Sequence, residues 1–332
     1  MASVSVGDII TAAQYNDLQT RVQSLLGNGI SDKGYGQAVT SQAVAIGTVI
    51  LASHMNDLYA DIVKCYQHQQ NANPATIAQL VATNLIGADA STDPNSTIKG
   101  YNDYNTIIDT LETNRLTASS HINQATVESK VSSSRTVAWG NEPDVITHEV
   151  SVTFPGAYAT VNTNGTSYPS VSGADHMRHW FNAGGQIRFS AALSGGSGAK
   201  YNDWNTMLTN MGTIIFGRSS TTATGTGTTS AVGYANLTTS YVQVFQKTGS
   251  GVYAENDYNV AAKIVGTNQI YFRIEFRDDD AGDQQPIVGA GPAGPAVDEN
   301  VSGTLVSSVG QRRPSGSYVS LITPNYANTI VL

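Results

Sequence analysis

Charged side chains are scarce in this sequence. Asp, Glu, Lys and Arg make up 13% of the 332 residues, where an average soluble domain has about 25%. The polar surface must therefore come from Ser, Thr, Asn, Gln and Gly. Such a surface is typical of secreted or particle-borne proteins built from β-strands, and of proteins whose faces are covered by neighbouring subunits.

Basic residues are the scarcer of the two charge classes, and the formal net charge is −8. The densest basic point is the pair Arg312–Arg313. Binding to a phosphate backbone depends on clustered Lys and Arg that release counterions. We therefore expect no nucleic-acid partner.

Cysteine and long apolar runs are also nearly absent. Cys65 is the one cysteine, which excludes an intrachain disulfide framework and a cysteine-based zinc site. We expect it to be a small buried apolar residue. The first residues lack the basic and apolar regions of a secretory signal, and no run approaches the ~18 apolar residues of a membrane span. We expect neither a signal nor a membrane partner.

The first part of the chain, residues 1–128, has helical periodicity. Thr11 to Gln14 matches a capping box and begins a first helix that ends before Gly27. Apolar spacing predicts three more helices: about 53–69, from Pro74 to Gly87, and about 102–116.

These helix starts are related in sequence. Residues 7–18 align with 47–58 at an offset of 40, sharing Gly, Ile, Ala, Asn-Asp and Leu, and shorter forms recur at 101–106 and 201–206. The repeat is either a binding element or a duplicated helix start in which Asn and Asp cap free N–H groups. We favour the helix start, because helix termini need these residue types.

After a polar junction at 129–145, the periodicity changes to alternation. Apolar and polar residues alternate over 146–154, 187–193, 258–264 and 270–276, with further strands expected at 240–247, 301–309, 317–322 and the last residues. Strict alternation favours antiparallel sheets with one wet face. The expected fold is α+β: a helical region, residues 1–128, followed by an antiparallel β-sandwich-like body, residues 129–332, with one inserted helix at about 202–212. We expect surface loops at 219–230 and 278–299.

Three motifs could carry chemistry, and each has a simpler explanation. Gly289 to Gly294 spells G-x-G-x-x-G, but Pro295 follows and no helix is expected after it. Asp278 to Asp280, with Asp283, could bind calcium, yet we expect a solvated acidic loop tip. His176 and His179 could share a helix face without a third ligand. We predict no catalytic residue, no cofactor-binding residue, no metal site and no enzymatic activity.

Three stretches of the second part carry a family resemblance: 178–190, 237–245 continuing through Tyr253 and 258–263, and 301–314 followed by Val319 and 323–324. In these stretches the chain resembles virion structural proteins of T4-like myophages, particularly cyanophages. The resemblance covers most of residues 140–332 and the N-terminal helices more weakly.

The resemblance implies a non-enzymatic tail- or neck-associated protein, whether fibre, collar or baseplate-attached. On this basis we expect a homo-oligomer, by analogy a trimer or hexamer, that contacts other tail or neck proteins in a virion assembled in the host cytoplasm. The alternative is a receptor-binding adhesin that recognises host-surface glycan. An enzyme acting on glycan through a carboxylate pair is the remaining possibility.

Overall fold

The computed structural model describes residues 10–80, 100–140, 144–156, 171–280, 300–316 and 318–332. It confirms an α+β fold with a β-sandwich-like body. The described residues form five α-helices: α1 Ala12–Leu26, α2 Ala52–Gln70, α3 Tyr101–Thr113, α4 Gly173–Asn182 and α5 Ala199–Met211. Three of them, α1, α2 and α3, lie in the region predicted to be helical.

The strands form two sheets. Their bounds are β1 Ala125–Arg135, β2 Asp144–Thr153, β3 Gln186–Ser194, β4 Ile214–Phe216, β5 Thr221–Ala223, β6 Thr228–Thr229, β7 Val242–Thr248, β8 Asp257–Val265, β9 Gln269–Asp278, β10 Thr304–Pro314 and β11 Asn325–Ile330. One sheet has the order β1-β10-β3-β4-β5 and the other β11-β2-β9-β8-β7-β6. The sheets are antiparallel, as the alternating pattern predicted.

The chain divides into two compact units. The helical unit comprises Met1–Thr126, Pro155–Gly185 and Arg313–Thr323, and the sheet unit comprises Val127–Phe154, Gln186–Arg312 and Pro324–Leu332. Each unit is therefore assembled from several stretches of sequence. The division into consecutive domains at residues 128–129 stays a prediction.

Aromatic side chains fill the core of the sheet unit. Phe272 on β9 packs against Phe189 on β3 and Phe216 on β4, with ring centroids 4.9 and 5.1 Å apart. These strands belong to different sheets, so the contacts join the two layers of the sandwich. At one end of this core Trp139 packs edge-on against Trp204 of α5, at 4.7 Å.

The helical unit begins with the predicted capping box. Thr11 Oγ1 accepts the N–H of Gln14, and Gln14 Oε1 accepts the N–H of Thr11. The apolar stripe of α1, which includes Leu18 and Val22, is fully buried, as is Cys65 on α2. The prediction that Cys65 is a buried residue is confirmed.

Side-chain amides hold the extended segments of the helical unit. Asn16 on α1 donates to the carbonyl of Val44 and accepts its N–H, both at 2.8 Å. Asn56 on α2 makes the same two bonds to Leu80, at 2.9 and 2.6 Å. We call this arrangement, in which one amide pairs with both backbone groups of one residue, an amide clamp. It satisfies polar groups that would otherwise need a strand neighbour.

The two clamps give the sequence repeat a structural meaning. Asn16 and Asn56 are both the fifth residue of their helices, 40 positions apart. The expectation that the repeated Asn caps a helix is wrong for these two copies, because each amide is bonded to a distant segment instead. In the third copy Asp103 does cap, since its carboxylate accepts the N–H of Gly100 at 2.8 Å.

Clamps also explain two wrong element predictions. Residues 74–80 are not helical, although Ile77 and Leu80 are buried at helical spacing. The Asn56 clamp binds the backbone of Leu80 instead. The rest of the predicted helix lies outside the described residues. The strand expected at 317–322 is irregular in its described residues. There the Gln37 amide clamps Ser320, with both bonds at 3.2 Å.

Three further elements differ from expectation. β1 occupies residues expected to be helix and polar junction, and α4 adds a helix that was not predicted as an element. The segment 219–230 contains β5 and β6 instead of being a loop throughout. Its Gly225 is required by close packing, because a Cβ there would lie 2.1 Å from the carbonyl oxygen of Asn210 at the end of α5.

The Asn16 clamp yields a prediction for stability. Asn16→Ala removes two hydrogen bonds and leaves the backbone groups of Val44 without their partner, so the free energy of unfolding should fall by about 1–3 kcal/mol. Urea denaturation followed by circular dichroism measures the change. Asn28→Ala, at an exposed side chain of the same unit, is the matched control and should stay near wild type. Equal stability of both variants would contradict a stabilising role of the clamp.

Candidate functional site

The two histidines lie in the helical unit, and their ring nitrogens contact backbone carbonyl oxygens. His176 and His179 on α4 are both fully buried. The His176 ring nitrogens lie 2.8 Å from the carbonyl oxygens of Pro155 and Ile322, and His179 Nε2 lies 2.8 Å from that of Asn28. Burial lowers the pKa of His176 and brings that of His179 to about 4. The arrangement anchors α4 to neighbouring segments.

The aspartate cluster is buried, and the expectation of a solvated loop tip is wrong for its described part. Asp278 is fully buried and Asp280 nearly so. Lys200 at the start of α5, also fully buried, places Nζ 2.7 Å from Asp278 Oδ2, 3.5 Å from Asp280 Oδ2 and 3.1 Å from the carbonyl oxygen of Gly140. A buried ammonium faces both carboxylates and is closer to Asp278, so the cluster has the chemistry of an internal ion pair.

Backbone around this cluster is fixed by a further amide. Asn256 Oδ1 accepts the N–H groups of Asp279 and Asp280, both at 3.0 Å. No sequence pattern predicts the pairing, because Lys200 lies nearly eighty positions from Asp278. Asp283 and the glycine motif at 289–294 lie outside the described residues.

An exposed apolar loop is the feature with the clearest functional meaning. The 44–51 loop, which connects to the start of α2, exposes Ile46 by 97%, Val49 by 74% and Leu51 by 54%. A single exposed apolar residue is ordinary, but several in one short segment mark a surface that another molecule covers.

Hydrogen bonds tether both ends of the loop. The Asn16 clamp fixes Val44, and the N–H of Leu51 donates to Nδ1 of His54 in the first turn of α2, at 3.1 Å. Between them Thr48 N donates to the carbonyl of Ala45 at 3.1 Å, and Gly47 has a φ of +85°. The apolar side chains are therefore displayed on an ordered turn.

Sequence reasoning missed this loop as a site. The second helix was predicted from about residue 53, close to the observed start of α2 at Ala52, but the loop before it was not predicted to be a site. The signal was present in the apolar run from Val44 to Leu51, which lies outside any amphipathic helix.

Two absences concern the described residues alone. Within the described ranges no group of three or more His, Cys, Asp or Glu side chains is arranged to hold a metal ion. Among the helices of the same ranges, none is long and apolar enough to cross a membrane.

Comparison with known proteins gives no relative: no protein-family model, no curated protein and no solved structure matches the chain.

The buried ion cluster yields a prediction. Lys200→Met leaves buried carboxylates without their cation, so the free energy of unfolding should fall by about 3–5 kcal/mol. Chemical denaturation measures the effect. Lys247→Met, at a half-buried lysine on β7, is the control and should change little. A Lys200→Met protein as stable as the control would show that the cluster is not stabilised by the ammonium.

His179 yields a pH dependence. Its pKa is about 4 in the fold and 6.5 in the unfolded reference, so between these values the unfolded chain binds more protons. Stability should therefore be complete above about pH 6.5 and decrease as the pH falls toward 4, by about 3 kcal/mol from this residue. Urea unfolding across this range should show a shallower decrease in His179→Gln than in wild type.

The control for this experiment is His121→Gln, at an exposed imidazole. It should keep the wild-type pH profile. If His179→Gln also keeps the wild-type profile, burial of His179 does not contribute to acid sensitivity.

Proposed function

We propose that this protein is a non-enzymatic structural component of a tailed-phage virion, tail- or neck-associated, that assembles with itself and with other virion proteins. The observation that carries the proposal is the ordered 44–51 loop with its exposed Ile46. The place in the virion comes from the sequence resemblance to structural proteins of T4-like myophages. On this proposal the protein is assembled in the host cytoplasm and resides in the particle.

Energetics favour an assembly role for the loop. Burying one aliphatic side chain contributes about 1.5–3 kcal/mol, so Ile46, Val49 and Leu51 together could contribute several kcal/mol at one contact. Symmetric assembly repeats the same contact at every subunit. Because the clamp at Val44 orders the loop before binding, little conformational entropy is lost on association.

The composition supports the same role. Only 13% of residues are charged, and several of these charges are paired with each other within the helical unit. Arg21 on α1, for example, binds Asp109 and Glu112 on α3. Charged residues are depleted at the centres of protein interfaces, so a surface dominated by uncharged polar groups is suited to subunit contacts.

The proposal is tested by the mass of the full-length protein in solution. Light scattering at several concentrations should show a trimer or hexamer. Ile46→Asp places a charge in the apolar contact, so it should shift the protein toward monomer. The free energy of unfolding should stay near wild type, because Ile46 makes little contact within its own chain.

Thr48→Asp is the matched control, since it adds the same charge at an exposed polar position of the same loop. A smaller effect on assembly is expected there. A wild-type monomer at every concentration would contradict self-assembly. Equal masses for wild type and Ile46→Asp would contradict the role given to the loop.

A further inference from the structure

The helical unit contains a cavity of about 500 Å³ with three hydrogen-bonded walls. The end of α2 forms one wall and residues 122–124 form the second. Ser315, Gly316 and Tyr318 form the third. The N–H of Ser119 donates to the carbonyl of His68 at 2.9 Å, and the N–H of Ser315 donates to the carbonyl of Gln124 at 3.0 Å. Because backbone bonds join the walls, the cavity is formed before any ligand arrives.

The lining is polar and carries no formal charge. Four amide side chains contribute to it, those of Gln67, Asn71, Asn123 and Gln124, and Tyr318 adds an aromatic ring. An amide both donates and accepts hydrogen bonds, so it matches hydroxyl groups, which do the same. An anion or a cation would lose its hydration here without meeting an opposite charge. The lining therefore selects for neutral, polyhydroxylated ligands.

The charged cavity of the same unit provides a contrast. It is lined by Lys33, Asp109, Glu112 and Arg115, and its charges are already paired: Lys33 Nζ lies 2.8 Å from Glu112 Oε1, and Arg115 binds Asp32. The charged groups of that cavity are paired with opposite charges. The amide cavity, in contrast, contains a hydrogen-bond acceptor that has no donor among the described residues.

That acceptor is the side chain of Gln124, which is only 2% exposed. Its Nε2 donates to Asn71 Oδ1 at 3.2 Å. Asn71 follows α2 in a left-handed backbone conformation, and its N–H donates to the carbonyl of Gln67. Within the described part of the chain, Gln124 Oε1 has no hydrogen-bond donor. A buried acceptor without a donor is unfavourable, so it favours a ligand that brings a hydroxyl group to it.

Gly316 packs close beside this acceptor. A Cβ built on Gly316, another lining residue, would lie 2.0 Å from the carbonyl oxygen of Asn123 and 3.1 Å from Gln124 Oε1. Gln124 Oε1 therefore lies beside the cavity wall. Ile122, which is exposed, and Tyr318 offer apolar surface for the C–H face of a ring.

We propose that this amide cavity is a binding site for a neutral sugar ring. The inference does not rest on the proposed role in the virion, because a structural protein without a sugar site would assemble equally well. Sugar binding would, however, favour the adhesin alternative.

The test is saturation-transfer NMR on the full-length protein with glucose, galactose and N-acetylglucosamine as probes and glucuronate as the charged comparator. At least one neutral sugar should receive saturation, and glucuronate should receive less. Gln67→Ala and Tyr318→Ala should each weaken the affinity roughly two- to tenfold, the effect of losing one hydrogen bond or one apolar contact.

Gln70→Ala is the matched control, because Gln70 is an exposed amide in the same last turn of α2 and does not line the cavity. It should leave the affinity unchanged, and circular dichroism should show all three variants folded. No transfer to any neutral sugar would overturn the inference, as would equal binding of glucuronate or equal weakening by Gln67→Ala and Gln70→Ala. Light scattering on the same samples reports assembly separately, so failure of one proposal is distinguishable from failure of the other.

Discussion

The helical unit depends on the pairing of extended backbone with side-chain amides. A chain segment that leaves a helix and joins no sheet must still satisfy its N–H and C=O groups. Asn16, Asn56 and Gln37 each supply a donor and an acceptor to one residue of such a segment. Asp61 on α2 adds a charged version, because its buried carboxylate accepts the N–H groups of Thr40 and Ser41. Amides can do this without the desolvation penalty of an ion, which is consistent with the low charge of the sequence.

The sheet unit satisfies its backbone groups by strand pairing, and it encloses one fully buried ion cluster. Its strands pair with one another, and its core is aromatic. Lys200 joins the start of α5 to Asp278 at the end of β9. Loss of either partner of such a pair is strongly destabilising, because it leaves the other charge buried without its counter-ion. The paired amide clamps thus lie in the helical unit, and the fully buried ion cluster lies in the sheet unit.

The sequence predicted elements whose signal is local and missed those that depend on distant partners. β2, β8 and β9 were predicted correctly because apolar residues recur at every second position along their sequences. β1 was missed because its sequence, ATVESKVSSSR, has few apolar residues and no such pattern. The repeat at residues 7–18 and 47–58 was recognised, but the role of its Asn depends on Val44 and Leu80, which no spacing rule connects to Asn16 and Asn56.

The candidate sites were still less predictable. The exposure of Ile46 follows from a turn at Gly47, and the uncharged cavity collects residues from three separate stretches of the chain. Asp278 looked like a solvated residue because its partner, Lys200, is distant in sequence. Composition, in contrast, indicated from the start a protein with uncharged polar surfaces.

The central claim, that the chain is a structural component of a phage particle, is tested most directly by locating it. Antibodies against the full-length protein would be applied to gradient-purified tailed-phage particles and viewed by immunogold electron microscopy, with mass spectrometry of the same particles. The account predicts gold at one defined place on the tail or neck and a copy number per particle that matches rotational symmetry. Particles that lack the protein, while it accumulates free in the lysate, would contradict the account.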